Sequence, residues 1–344
     1  MDLTTVKQLY VGGKEVFTLY VNDGLAWKKI QGFKVVAKQA NSTIQLTAVG
    51  TPNAITLVKS TDEGITFSPY NVGDVITLAN VGDSVILEAG PSGNTTLATS
   101  ASNYHKFVMT GKVEVDASKL NYLLNQNGQV SGSLPNYCYY SLFDGCSSLE
   151  GAIDISWFTD GGLQSLRSLL KGTGISSVNL SGFYSSSNGY VLKELCSDCT
   201  NLTSVNLDNL TTLTGDQQLQ IAFNGCTSLV DVSIPKLETI SGHGSISYVF
   251  KGCTSLKNVN LKKLSTTGGT NPFAEGFRDG TSLEVVDMSE ATAVPAIASN
   301  TFQNTNSTFK VVVPDSLYST WIASTNWSNI ASQIVRASDY TPAS

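Results

Sequence analysis

One block recurs at a nearly fixed interval and restricts this chain more than any other feature. It reads Phe143-Asp-Gly-Cys146-Ser-Ser-Leu149, Phe223-Asn-Gly-Cys226-Thr-Ser-Leu229, Phe250-Lys-Gly-Cys253-Thr-Ser-Leu256 and Phe277-Arg-Asp-Gly280-Thr-Ser-Leu283. A fifth copy, Cys196-Ser-Asp-Cys199-Thr-Asn-Leu202, has Cys at the Phe position. A degenerate copy, Leu170-Lys-Gly-Thr173-Gly-Ile175, is one residue short. The column Cys146, Thr173, Cys199, Cys226, Cys253 and Gly280 advances by 27, 26, 27, 27 and 27, and Thr305 adds a step of 25. Self-similarity at such a period marks a stacked array. One copy alone cannot bury its Phe and Leu, so neighbours must complete the core. Seven coils at this period predict a solenoid.

A short alternating segment follows each block: Val205-Asn-Leu207, Val232-Ser-Ile234, Val259-Asn-Leu261 and Val286-Asp-Met288. Alternation with period two predicts a strand with one buried face. Stacking then sets these strands side by side in a parallel sheet, about 4.8 Å apart. The pattern F-x-x-C-T/S-S-L-x-x-V-x-L resembles the leucine-rich repeats of BspA-like surface proteins over residues 136–312. That resemblance implies adhesion and surface recognition, not one particular chemistry.

The flanks read differently. Residues 31–135 carry alternating runs, Ile44-Gln-Leu46-Thr-Ala48, Ile65-Thr-Phe67 and Val113-Glu-Val115. They also hold a near-tandem pair, Asn71-Val-Gly-Asp-Val-Ile-Thr-Leu78 and Asn80-Val-Gly-Asp-Ser-Val-Ile-Leu87. These predict turn-plus-strand units in an antiparallel β-sandwich-like domain, or an extended N-terminal cap of the solenoid. Residues 1–30 repeat Leu9-Tyr-Val-Gly and Leu19-Tyr-Val-Asn before Trp27. Short strands around Gly12-Gly13 and a turn at Asn22-Asp23-Gly24 would form a meander too small to stand alone. This segment resembles the N-terminal attachment segments of some tailed-bacteriophage virion proteins. Residues 313–344 read as a cap. A last strand at Val311-Val-Val313 leads into a helix N-capped by Asp315 or Ser316, with Trp321, Trp327, Ile330 and Ile334 as its apolar face. The expected fold is therefore mainly β with short helices: an N-terminal β domain, a leucine-rich-repeat solenoid and a strand-helix cap.

Composition narrows the function. Only 14% of residues are charged, against about 25% in an average domain, and the net charge is −6. Ser and Thr number 42 and 35, so neutral hydroxyls must cover much of the surface. There is no basic nucleic-acid footprint, and no apolar run approaches the roughly 20 residues of a membrane helix. Met1-Asp2-Leu3-Thr4-Thr5 lacks the basic start and apolar core of a signal peptide, which suggests cytosolic assembly.

Candidate chemistry is sparse. Cys196-x-x-Cys199 could bind zinc or cycle redox, but tetrahedral zinc needs two further ligands. The repeat explains it better, with Cys196 in the Phe column and Cys199 in the Cys column, both inward. Cys199, Cys226 and Cys253 are expected as free buried thiols, because three equivalent neighbours cannot pair symmetrically. Ser60-Thr-Asp62-Glu-Gly64-Ile-Thr66-Phe67 fits the Asp box of sialidase propellers, but occurs once and reads as a turn stabiliser. His105 and His243 are the two histidines, and His243 is expected in a solvent-facing loop. No G-x-S-x-G, GxxxxGK[ST] or GxGxxG occurs. No catalytic, metal or cofactor residue is therefore assigned, and no enzyme activity is expected.

The resulting expectation is a non-enzymatic virion protein, a tail or head fibre, assembled in the host cytoplasm and exposed extracellularly. Residues 1–30 would hold it to other virion proteins. A homo-oligomer would present the solenoid to a host-surface glycan or protein, with no membrane insertion. A secreted BspA-like adhesin on the bacterial surface is the alternative, and a polysaccharide depolymerase fibre the second. Phe183-Tyr184-Ser-Ser-Ser-Asn188-Gly-Tyr190 and Thr266-Thr-Gly-Gly-Thr-Asn271 are read as insertions between coils that mark a binding face.

Overall fold

The computed structural model describes residues 32–129, 133–270 and 273–341, together with the backbone of four strands within 8–29. Those four strands form two separate antiparallel hairpins instead of one meander. Gln8–Val11 pairs with Lys14–Thr18, and Tyr20–Asn22 pairs with Trp27–Lys29. The expected turn residues Gly12, Gly13, Asp23 and Gly24 lie outside the described residues.

Two antiparallel sheets form the N-terminal β domain. One has the order Val113–Val115, Phe33–Ala37, Ser84–Ala89, Leu57–Ser60, Ser68–Tyr70; the other has Ala98–Ser100, Asn103–Thr110, Ser42–Val49, Val75–Leu78. Alternation dictates their inner faces: Phe33, Val35 and Ala37 point inward, as do Ile44, Leu46, Phe107 and Met109. The tandem Asn-Val-Gly-Asp units do make equivalent turns. Asp74 accepts from the Asn71 N–H at 3.3 Å and Asp83 from the Asn80 N–H at 2.9 Å. Their strands then enter opposite sheets. Ile65–Phe67, expected as a strand, belongs to a turn. Asp62 holds it there by accepting from the Thr66 N–H at 2.9 Å and the Thr66 hydroxyl at 2.6 Å, and the strand begins only at Ser68.

The repeats build a solenoid of about 7 turns whose coils have three walls. The first wall is an eight-stranded parallel sheet: Ala152–Asp154, Ser177–Asn179, Ser204–Asn206, Asp231–Ser233, Asn258–Asn260, Val285–Asp287, Lys310–Val313 and Ile334–Arg336. Its strands start one residue before the predicted triplets. Equivalent valines are in register, Val178 beside Val205 and Val232 beside Val259 beside Val286. The second wall is a four-stranded sheet of two-residue strands, Ser185–Ser186, Thr212–Leu213, Thr239–Ile240 and Thr266–Thr267. Both segments read as insertions thus contribute regular members of the second wall; Asn271 lies outside the described residues.

The third wall is a stack of turns that carries the signature block. Alternate amides point along the stack: Ser141 N–H bonds Arg167 O at 3.0 Å, Phe143 bonds Leu169 O at 2.9 Å and Gly145 bonds Lys171 O at 2.8 Å. Others close local turns, such as Asp144 N–H to Ser141 O at 3.1 Å. This winding requires a left-handed residue just before the Cys column. Gly145, Gly172, Asp198, Gly225, Gly252, Asp279 and Asn304 occupy it, with φ between 59° and 78°. Gly, Asp and Asn are the residues that tolerate that region best.

Among the described residues one core runs from Phe33 of the β domain to Ile334 of the cap. Phe223, Phe250, Phe277, Phe302 and Phe309 stack at centroid distances of 5.9, 5.8, 5.2 and 4.9 Å. At the N-terminal end Phe107 of the β domain stacks on Phe143 of the same column, at 5.3 Å and 9°, with Leu170 and Cys196 standing between this pair and the Phe223 run. Its N–H donates to Leu142 O at 2.7 Å, and Val113 N–H donates to Ser148 O at 3.0 Å. At the C-terminal end Trp321 and Trp327 are fully buried, 5.4 Å apart. Trp327 Nε1–H donates to Pro295 O at 2.6 Å. The strand Lys310–Val313 is not the last, because Ile334–Arg336 pairs parallel to it after the helix. Neither Asp315 nor Ser316 caps that helix. Tyr318–Ala323 begins behind Leu317, and Asp315 accepts from the Ser338 N–H at 3.1 Å instead.

Candidate functional site

The cysteines are interior packing groups. All six are buried and unbridged. Each thiol of the column reaches back one coil to the carbonyl at the Phe position: Cys199 to Leu170 O at 3.0 Å, Cys226 to Cys196 O at 3.1 Å and Cys253 to Phe223 O at 3.1 Å. Cys146 makes the same bond to Phe107 O at 3.1 Å. Thr173 replaces the thiol with a hydroxyl that bonds Leu170 O at 2.8 Å. Burial pushes the Cys146 and Cys253 thiols up to about 12 and drives Cys196 and Cys226 upward as well. Such thiols are neutral and closed to solvent, the reverse of a reactive cysteine. Among the described residues no group of three or more His, Cys, Asp or Glu could hold a metal ion.

The other singled-out residues do not converge. Asp62 is held down to about 2, first by the Ser60 hydroxyl and then by the Thr66 hydroxyl and N–H, which is turn chemistry. His105 is buried with Nδ1 2.9 Å from Leu97 O, and burial lowers its pKa. His243 is exposed on the third wall.

The outward column of the first wall is Asp154, Asn179, Asn206, Ser233, Asn260 and Asp287. Most of its side chains turn their own strand's exit. Asn179, Asn206, Asn260 and Asp287 each accept the N–H two residues on, at 3.0–3.2 Å. The second wall shows Ser185, Thr212, Thr239 and Thr266 in a row. Solenoid charges are largely paired, most of them across coils: Glu194 with Arg167 and Lys171, Glu275 with Lys251, and Lys257 with Glu284, while Arg278 reaches Glu275 within its own coil. Lys257–Glu284 is exposed, and such a pair contributes little stability, on the order of 0–1 kcal/mol, whereas Glu194 and Glu275 are half-buried.

Concavity gathers on the third wall near the C-terminal end. A depression of about 220 Å³ is lined by Gln217, Gln220, His243, Tyr248 and Thr270. A second, of about 480 Å³, shares Tyr248 and Ala274 with it and extends to Ser299, Asn300 and Asn326. A third, of about 300 Å³, continues from Asn300 and Asn326 to Phe302, Asn329 and Ile330. The shortened 25-residue step into the last coil falls at this place, and the four-stranded second wall has ended at Thr267. The last coil therefore does not continue all the walls of its neighbours. That 25-residue step was the sequence signal for the groove. The side chains themselves could not be picked out, because Gln, Asn and Tyr occur throughout the chain.

The family model for the BspA type leucine-rich repeat region matches in six copies, over residues 136–242 and 190–320. No curated protein and no solved structure matches the chain. The matched residues span more than half of the sequence and coincide with the three-walled coils, so the chain belongs to the BspA-type leucine-rich repeat family.

Proposed function

We propose that this is a non-enzymatic surface-recognition protein, and specifically a virion attachment protein of a tailed bacteriophage. The observation that carries the recognition reading is the stack of coils itself. It displays neutral hydroxyl and amide side chains in register, while most of its charges are spent on one another. Low charge leaves contact chemistry, not electrostatic steering, to select the partner. Many copies on one particle would add weak contacts through avidity.

The virion reading is supported by the six buried, unbridged thiols, which suit folding in a reducing cytoplasm. It is also supported by the N-terminal hairpins, each too small to be stable alone and suited to docking on a neighbour. The family favours a second reading, a bacterial surface adhesin. Mass spectrometry of purified phage particles from the host tests the choice. Peptides of this chain in the particles are the expected result. Their absence from particles and presence in the bacterial surface fraction would replace the virion reading with the adhesin.

A further inference from the structure

We infer that the groove on the third wall, from Gln220 and His243 to Asn326, binds an uncharged oligosaccharide. This rests on the surface-recognition reading and names the ligand class for it. The described lining of all three depressions contains no Asp, Glu, Lys or Arg. Glu275, the carboxylate beside Ala274, is held by Lys251 at 2.7 Å and Arg278 at 3.0 Å. The charges that touch the lining are already engaged: Lys193 donates to Gln217 at 2.7 Å, Lys251 lies 5.4 Å from the Tyr248 ring centre, and Asp216 accepts the His243 N–H at 2.8 Å.

What the groove does offer is a mixture of donors and acceptors. The Thr270 N–H donates to His243 Nδ1 at 2.9 Å, so Nδ1 is the acceptor and the ring proton sits on Nε2. His243 is exposed, and Nε2–H is therefore a donor to the groove. The Glu275 N–H donates to Asn300 Oδ1 at 3.4 Å, which leaves the Asn300 amide N–H groups. Asn326 donates to Ile297 O at 2.6 Å, which leaves its Oδ1 as an acceptor. Among the described residues the Gln220 carboxamide and the Tyr248 hydroxyl have no side-chain partner, and each can both give and take. A sugar hydroxyl also donates and accepts at once, so a row of carboxamide, imidazole and phenol groups matches a row of hydroxyls. A peptide strand would instead need a free sheet edge to pair with, and here the lining sits on turns. The three depressions adjoin, which suits a chain of sugar rings better than one compact ligand.

The test is an array of neutral and acidic oligosaccharides probed with the full chain, with affinities for the retained sugars measured by calorimetry. The Gln220→Ala/Asn300→Ala variant removes two groove amides, and Asn258→Ala on the first wall serves as the control. Thermal melting confirms that both variants fold. The expected result is retention of neutral oligosaccharides, at least tenfold weaker binding by the double variant, and unchanged binding by the control. Retention of acidic sugars only, no sugar at all, or equal binding by the double variant would overturn the inference. Cell binding by wild type and double variant is measured in parallel. Undiminished cell binding by the double variant would sink the groove alone, whereas a wild type that binds no cells would sink the recognition reading.

Discussion

At one end of the solenoid the first coil meets a strand; at the other the last coil meets two tryptophans. The N-terminal closure is an imitation of a coil. Phe107 lies in the ring stack, its carbonyl takes the Cys146 thiol, and Val113 begins the amide ladder of the first wall. All three interactions recur between true coils, although Asn103–Thr110 belongs to an antiparallel sheet of another domain. The C-terminal closure combines continuation with a plug. Ile334–Arg336 adds one more parallel strand, while Trp327 covers the ring stack at 6.1 Å from Phe302. A solenoid end thus has two needs, backbone partners and apolar cover. The N-terminal end meets both with two consecutive strands of the β domain, Asn103–Thr110 and Val113–Val115, and the C-terminal end divides them between a strand and a helix.

Removing either closure should have the largest effect. A chain starting at Ser133 would expose Leu142, Phe143 and Leu149, which are at most 1% accessible in the intact protein. Loss from the soluble fraction on expression is expected, and a soluble, melting fragment would show that the imitation coil is dispensable. Next comes Phe107→Ala, expected to cost about 3–5 kcal/mol, the same as Phe223→Ala inside the stack. Urea unfolding of the two variants compares the closure with a real coil. A Phe107→Ala cost far below that of Phe223→Ala would break the equivalence.

The left-handed column gives a smaller contrast. Gly252 has φ 71°, and a Cβ there would make only ordinary contact with the Gly225 backbone, at 3.7 Å, so backbone strain is what opposes a side chain. Gly252→Ala should cost about 1–2 kcal/mol. Gly252→Asn should cost less, because Asn304 and Asp198 already occupy that conformation. Equal melting temperatures for the two variants would remove this explanation of the Gly/Asp/Asn column.

Asp62 should contribute less again, because it is exposed. Its carboxyl titrates at about 2 in the fold against 3.8 ordinarily. The stabilisation it lends is present above about pH 4 and fades as pH falls through 2. The gap in urea midpoint between wild type and Asp62→Asn should narrow over that range, and a gap independent of pH would contradict the turn chemistry. The smallest expected difference is none at all. Cys146, at the imitation coil, should react with a thiol reagent in the native protein no faster than Cys226 between true coils. Faster labelling of Cys146 would show that the β domain opens before the stack does.

Much of this was legible beforehand. The Phe and Cys columns and the first-wall strands follow from spacing alone; Trp321 and Trp327 are buried as expected, yet from two successive helices and with Ile334 on a strand, not as one helix face. The second wall was not, because a strand of two residues such as Thr239–Ile240 has no alternation to detect. The turn at Ile65–Phe67 looked like a strand because its side chains alternate, and Asp62 prevailed over that pattern. Neither His105 nor the lone CxxC marked a site, and His243 belongs to one only through its place in the groove lining. The groove is formed by side chains from five separate stretches that only the stack brings together.

Repetition along the chain sets the coil. Its period, its inward columns and its left-handed corner are local requirements that each repeat must meet again, so they recur in the text of the chain. Only the tertiary structure decided the ends and the groove. Phe107 becomes the missing ring of the first coil, and Asn326 comes to face Tyr248, through contacts between segments that share no pattern. Their positions depend on where the stack stops, and a repeat carries no information about its own boundary.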